Sequence, residues 1–269
     1  MLEKINETTE FLKAKGFINP DAGIILGTGL GGVTTQITNK IEIDYKDIPN
    51  FLISTVEGHE GKLIFGELGG KKIVAMKGRF HYYEGYTPEQ LSFSVRVLKY
   101  LGIKCLFLSN AAGGVNPDFK IGDIMIISDH INLIPNPLIG QNDERIGVRF
   151  PDMSEPYDRY LIKKATLIAD ENHIRVRKGV YLGTGGPTFE TPAEYKFFRI
   201  AGADAVGMST TPEVIVARHM GLPCFALSVI TDLGVEGKIT YTTHEAVQHE
   251  AKKIESHIAI IMTELISAL

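Results

Sequence analysis

The chain contains no tryptophan, only two cysteines and no block of lysine or arginine. Each of these gaps excludes something. Cys105 and Cys224 stand alone in the apolar runs KCLFLS and LPCFALSVI, so they form neither a disulfide framework nor a zinc site and read as buried thiols. A net charge of −4 leaves no basic surface for the phosphate contacts of a nucleic-acid binder. With no basic cluster, docking on an anionic membrane is excluded as well. No stretch reaches the roughly 18 apolar residues of a membrane span. The opening segment, MLEKINETTEFLKAKG, is amphipathic and charged and lacks the apolar centre of a signal peptide. The expected location is therefore the cytoplasm. Repeats, low-complexity tracts and composition shifts are also missing, so residues 1–269 read as one domain.

What is present is ordinary globular composition, 44% apolar and 22% charged, arranged as short β-rich runs alternating with helical patterns. Strand candidates are Ala22–Gly27, Lys62–Leu68, Lys72–Lys77, Lys104–Ser109, Asp123–Ser128, Gly179–Gly183, Asp204–Met208 and Pro223–Ile230. Several are almost continuously apolar, as in strands covered on both faces. Gly69-Gly70 between two of them predicts a tight hairpin, hence one antiparallel pair. The expected fold is α/β, a single domain with a central mixed β-sheet flanked by helices. Thr87-Pro88-Glu89-Gln90 is a capping box opening a helix that Gly102 ends, and Thr191-Pro192-Ala193-Glu194 repeats it. Thr211-Pro212 opens another helix, closed by Gly221. Capping-box spacing from Thr242 to Glu245 predicts a last helix, with Val247, Ala251, Ile254, Ile258, Ile261, Leu265 and Leu269 on one face. Asn132 to Tyr157 shows no periodicity, and a loop that long in a compact domain usually serves function.

Ligands of open α/β sheets bind beyond the carboxyl ends of the strands, and small, polar and charged residues follow those ends here. Gly27, Gly29 and Gly32 after the first strand match the dinucleotide pattern G-x-G-x-x-G. However, too few residues separate them from the strand-like run Ile41–Tyr45 to hold a crossover helix. Exposed backbone N–H groups and the Thr28 hydroxyl there suit a small anion instead, with a plain tight turn as the alternative. Arg79 and His81 follow another strand and form a fork and a donor for phosphate. Ser209 precedes a helix start, where free N–H groups favour an anion. Glu190, beside Phe189, has the placement to accept N–H donors from a base edge while the ring packs on the base. Taken alone it equally complements a helix N-terminus. His244 alone reads as structural, and His59, in Glu57-Gly58-His59-Glu60-Gly61, fits an anion-contacting loop or an ordinary turn. No cluster has metal-ligand spacing.

The blocks GTGLGG, GHEGKLIFG, GRFHYYEGY, SNAAGGVNPDFKIGDIMIISDHINL, RFPDMSEPYD, GPTFETPAEY and GADAVGMSTTPEVIVARHMGL resemble the purine nucleoside phosphorylases of the homotrimeric type. The likeness runs from about the first strand to the last helix. It implies phosphorolysis of purine nucleosides, inosine and guanosine foremost, with inorganic phosphate as co-substrate and no metal or organic cofactor. It implies that Thr28, Arg79, His81, the Ala111 backbone and Ser209 hold phosphate, with His59 on a nearby loop. Tyr83 and Met208 would contact ribose and His244 its 5′-hydroxyl. Phe189, Glu190, Val206 and Asp232 would surround the base, with Asn110 close by. His81, Glu190 and Asp232 are the implied catalytic groups. Phe150, from the long irregular segment, would cover the ribose of a neighbouring subunit in a trimer.

One position departs from the family's usual pattern. Members acting on 6-oxopurines commonly carry Asn where this chain has Asp232. An ionised Asp only accepts hydrogen bonds, so it suits a 6-amino group and repels O6 unless protonated. Related methylthioadenosine phosphorylases carry Asp there, yet His244 suits a free 5′-hydroxyl better than a methylthio group. A methylthioadenosine phosphorylase or an adenosine-accepting variant is therefore the nearest alternative. A nicotinamide-dependent oxidoreductase and a non-enzymatic purine-binding module are more distant ones.

Overall fold

The computed structural model describes every residue except Glu57, Gly58 and His59. Nine strands form one mixed sheet in the order β2-β3-β4-β1-β5-β8-β7-β6-β9. These are β1 Ala22–Leu26, β2 Thr38–Asp44, β3 Lys62–Leu68, β4 Lys71–Lys77, β5 Cys105–Gly114, β6 Ile124–Asn132, β7 Val176–Gly183, β8 Ala205–Gly207 and β9 Cys224–Leu233. The helices are α1 Leu2–Ala14, α2 Pro88–Leu91, α3 Phe93–Leu101, α4 Arg159–Glu171, α5 Pro192–Ile200, α6 Thr211–His219 and α7 His244–Ser267. Every residue of β1 is buried, which is why it carries no alternation and reads as a continuous apolar run. The β3–β4 hairpin turns at Gly69 and Gly70, both left-handed at φ 58° and 76°, as a two-residue turn between twisted strands requires.

β5 carries three neighbours. It runs parallel to β1 and β9 and pairs antiparallel with β8 at Gly113 and Gly114. The strands β5-β8-β7-β6-β9 thereby close on themselves, and the antiparallel hairpin hangs on the other side of β1. The β5–β9 register slips between Ala112 and Gly113, because Ile230 faces Ala112 whereas Asp232 faces Gly113. Thr231 is the extra residue of that bulge, a device that re-aims side chains.

Three expectations about element limits need correction. β5 runs five residues past Ser109, and β9 past Ile230, because each pairs with the other along that length. The helix opened by Thr87 breaks at Ser92, whose hydroxyl donates to the Pro88 and Glu89 carbonyls at 3.0 and 3.1 Å, competing with the helical ladder. The last helix is capped by Thr243, not Thr242: the Thr243 hydroxyl accepts from the Ala246 N–H at 3.2 Å. Of its expected stripe, Ala251, Ile258, Ile261 and Leu265 are buried and Ile254 packs against the core, whereas Leu269 lies beyond the helix and is exposed. Among the described residues no helix is long and apolar enough to cross a membrane. Both cysteines are buried free thiols.

Candidate active site

A cavity of about 440 Å³ opens where the carboxyl ends of β1, β4 and β5 meet β8, β9 and the first turn of α7. Gly27 and Thr28 enter it from β1, and Arg79, His81 and Tyr83 from the segment after β4. β5 supplies Asn110 and Ala111, and β8 with its following turn supplies Val206, Met208 and Ser209. Phe189 and Glu190 precede α5, Asp232 comes from β9, and His244 starts α7. The cavity thus gathers every described residue to which the resemblance gives a role except Phe150, while Gly29 and Gly32 of the glycine pattern lie outside it. Asn110, Ala111 and Asp232 stand inside strands rather than after them, since β5 and β9 are longer than expected. Thr231 and Asp232, at the bulge, both line the cavity.

One end is built around a buried ion pair. Arg79 is 1% exposed, and its Nε donates to Glu213 Oε1 at 3.0 Å. Its Nη1 donates to the Ser109 carbonyl at 2.8 Å and to Ser209 Oγ at 3.2 Å. A buried carboxylate thus holds the planar fork in one orientation. Thr210 ties the same corner together, accepting from Asn110 Nδ2 at 2.8 Å and lying 3.0 Å from Ser209 Oγ. It does so at φ 69°, a strained conformation for a β-branched residue that persists only where surroundings enforce it.

His81 stands beside this corner with Nδ1 3.1 Å from Glu84 Oε1, the oxygen that also accepts from the His81 backbone N–H at 2.7 Å. Its ring stacks on Tyr83 at 4.8 Å between centroids. Burial, reinforced by the Arg79 charge, holds the His81 pKa below its ordinary value despite Glu84. Burial works to raise Glu84, but hydrogen bonds from His81 and Thr55 prevail and bring it down to about 2. An ionised Glu84 accepting the Nδ1 proton fixes the tautomer, so neutral His81 carries its lone pair on Nε2.

The opposite end is acidic. Burial raises the pKa of Glu190, and the nearby Asp232 charge adds to it. Burial likewise raises Asp232, against hydrogen bonds from Thr231 and Tyr195. Thr231 Oγ1 donates to Asp232 Oδ1 at 3.0 Å, and the Tyr195 hydroxyl donates to Oδ2 at 3.4 Å. Gly113 makes room for this carboxylate, for a Cβ there would stand 2.8 Å from Oδ2. Between the two ends the wall is Tyr83, Met208 and His244. Among the described residues no group of three or more His, Cys, Asp or Glu is placed to hold a metal ion.

Some expectations fall elsewhere. His59 lies outside the described residues. Phe150 is 87% exposed and stands away from the cavity. The glycines after β1 do not simply present free N–H groups to an anion: Gly27 N–H donates to Ser109 Oγ at 3.4 Å and Gly32 N–H to Glu255. At Gly29 a Cβ would come 2.8 Å from Ala251 and 2.9 Å from the Gln248 carbonyl. The triplet therefore lets the loop lie against β5 and α7. Sequence reasoning missed Glu84, Glu213, Thr210 and Tyr195. All four lie in the blocks GRFHYYEGY, GADAVGMSTTPEVIVARHMGL and GPTFETPAEY, so their signal was membership of those blocks.

The sequence profile of the phosphorylase superfamily matches residues 21–267. Purine nucleoside phosphorylase 1 of Geobacillus stearothermophilus is 50% identical over 253 residues, covering 94% of this chain and 92% of its own. A crystal structure of Schistosoma mansoni purine nucleoside phosphorylase in complex with adenosine superposes with a TM-score of 0.94 at 42% identity, over 99% of this chain and 97% of that one. The same Schistosoma enzyme in complex with inosine gives 0.94 at 41% identity, over 99% and 96%.

Proposed function

This chain belongs to the phosphorylase superfamily, among its purine nucleoside phosphorylases, and from that membership we propose that its cavity splits purine nucleosides with inorganic phosphate, giving free base and (deoxy)ribose 1-phosphate. The observation that carries this reading is the polarity of the cavity. A corner rich in hydrogen-bond donors at Arg79 and His81 and a pair of carboxyls at Glu190 and Asp232 line one cavity of about 440 Å³.

Phosphate binds at Thr28, Arg79, His81, the Ala111 backbone and Ser209. Ribose lies along Tyr83 and Met208, its 5′-hydroxyl toward His244. The base sits among Asn110, Phe189, Glu190, Val206 and Asp232. A phosphate oxygen forms the new bond to C1′ as the C1′–N9 pair departs with the base. Positive charge developing on the ribose is stabilised by the phosphate dianion, and negative charge on the base by hydrogen bonding or proton donation from the acidic wall. His81, Glu190 and Asp232 are the catalytic groups, and the rate comes mainly from positioning and electrostatics. Inorganic phosphate is the only co-substrate this chemistry needs, with no metal or organic cofactor.

Asp232 supports acceptance of adenosine besides inosine and guanosine, since an ionised carboxylate accepts from a 6-amino group. A homotrimer is the assembly we infer, and the exposure of Phe150 supports it, for a second copy would cover that ring. Two free thiols fit a reducing, cytoplasmic setting. The test is release of free base from inosine, guanosine and adenosine in parallel, with and without phosphate. Release that depends on phosphate is expected. Release without phosphate, or from none of the three, rejects the reading.

A further inference from the structure

Within this phosphorolysis reading, we propose that Tyr195 is the positioning residue that biases the site toward 6-amino purines, acting through Glu190 and Asp232. Its ring is 4% exposed, in the first turn of α5, and the hydroxyl donates to Asp232 Oδ2 with the Glu190 carboxyl nearby. The ring lies flat against the chain leaving β9, because a Cβ on Gly234 would stand 2.2 Å from Tyr195 Cδ1. Gly234 is therefore the seat that lets the hydroxyl arrive between the two acids.

A tyrosine hydroxyl has one proton to donate, so it serves one of the two carboxyls at a time. Two neighbouring buried carboxyls resist joint ionisation, so in this proposal they share one proton. That proton has two places to be, and each presents a different face to a purine. With Asp232 ionised and Glu190 protonated, the wall accepts at Asp232 and donates at Glu190. This matches the N6 amino group and bare N1 of adenine. With the proton on Asp232 instead, the wall donates to O6 and accepts N1–H, matching hypoxanthine. The Tyr195 hydrogen goes to the ionised member, and here it points at Asp232 Oδ2, 3.4 Å away. Thr231 adds a second donor to the same group. Both hydroxyls thus favour the arrangement that receives a 6-amino base, while the movable proton keeps 6-oxo bases acceptable.

The experiment compares kcat/KM for adenosine and inosine in the unmodified chain, Tyr195→Phe, Asp232→Asn and the double variant. Tyr195→Phe keeps the ring and removes the donor, so the adenosine-to-inosine ratio should fall about tenfold, the size of one hydrogen bond to a charged group. In the Asp232→Asn background the same change should leave the ratio where it is, because the group it acts through is gone. Gly234→Ala, which crowds the ring instead, should move the ratio in the same direction as Tyr195→Phe. A ratio unchanged in Tyr195→Phe, or an equal shift with and without Asp232, overturns the role of Tyr195 while base release stands. No phosphate-dependent release from either nucleoside by the unmodified chain overturns the phosphorolysis reading, and this inference with it.

Discussion

Glu84 touches no expected substrate atom, yet it decides which nitrogen of His81 carries the proton. Glu84→Gln should lower kcat/KM for phosphate by about tenfold, the loss of one charge-assisted hydrogen bond, with KM for nucleoside little changed. Initial rates at varied phosphate check this. The same carboxyl contributes to acid stability. Its folded pKa of about 2 lies below the 4.5 of an unperturbed glutamate, so its contribution is complete above pH 4.5 and is lost as pH falls from there toward 2. Urea midpoints taken at pH 7, 4.5 and 3 should drop between the last two, and less steeply in Glu84→Gln. An equal drop in both would assign the acid lability to other groups.

The glycine triplet shows what an element's packing demands. Gly32 lies under the Glu255 carboxyl of α7, and a Cβ there would meet it within 2.3 Å. Those atoms end a flexible, half-buried side chain that can swing aside, so Gly32→Ala should cost no more than about 0.5 kcal/mol, read as a nearly unchanged urea midpoint with kcat retained. The sequence carried the nearly continuous apolar strands, the Gly69-Gly70 turn and the Pro-led helix starts because each rests on local rules of period and dihedral angle. It missed where β5 and β9 end, since those limits come from pairing between residues more than a hundred positions apart. Site residues that follow a strand, such as Arg79 and His81, were legible from their place after an apolar run. Glu213 and Thr210 were not, because a buried carboxylate on a helix and a strained threonine carry no local signature. The bulge at Thr231 was equally hidden, being a property of two strands together.

At the scale of the molecule, the proposed trimer and the role proposed for Phe150 in it can be tested together. Sedimentation equilibrium should give a mass of three chains, and Phe150→Ala should raise KM for nucleoside without altering that mass. A monomer of full activity would remove the trimer from the account. β5 has a different consequence. It forms the floor of the cavity and at the same time binds β1, β8 and β9. Its amides from Leu106 to Leu108, flanked by β1 and β9 on both sides, cannot open to solvent without separating the two halves of the sheet, so they should exchange hydrogen for deuterium only at the rate of global unfolding. The pocket therefore cannot breathe from below. Reactants must come and go on the side away from the sheet, and motion there rather than in the sheet should set how quickly the site empties.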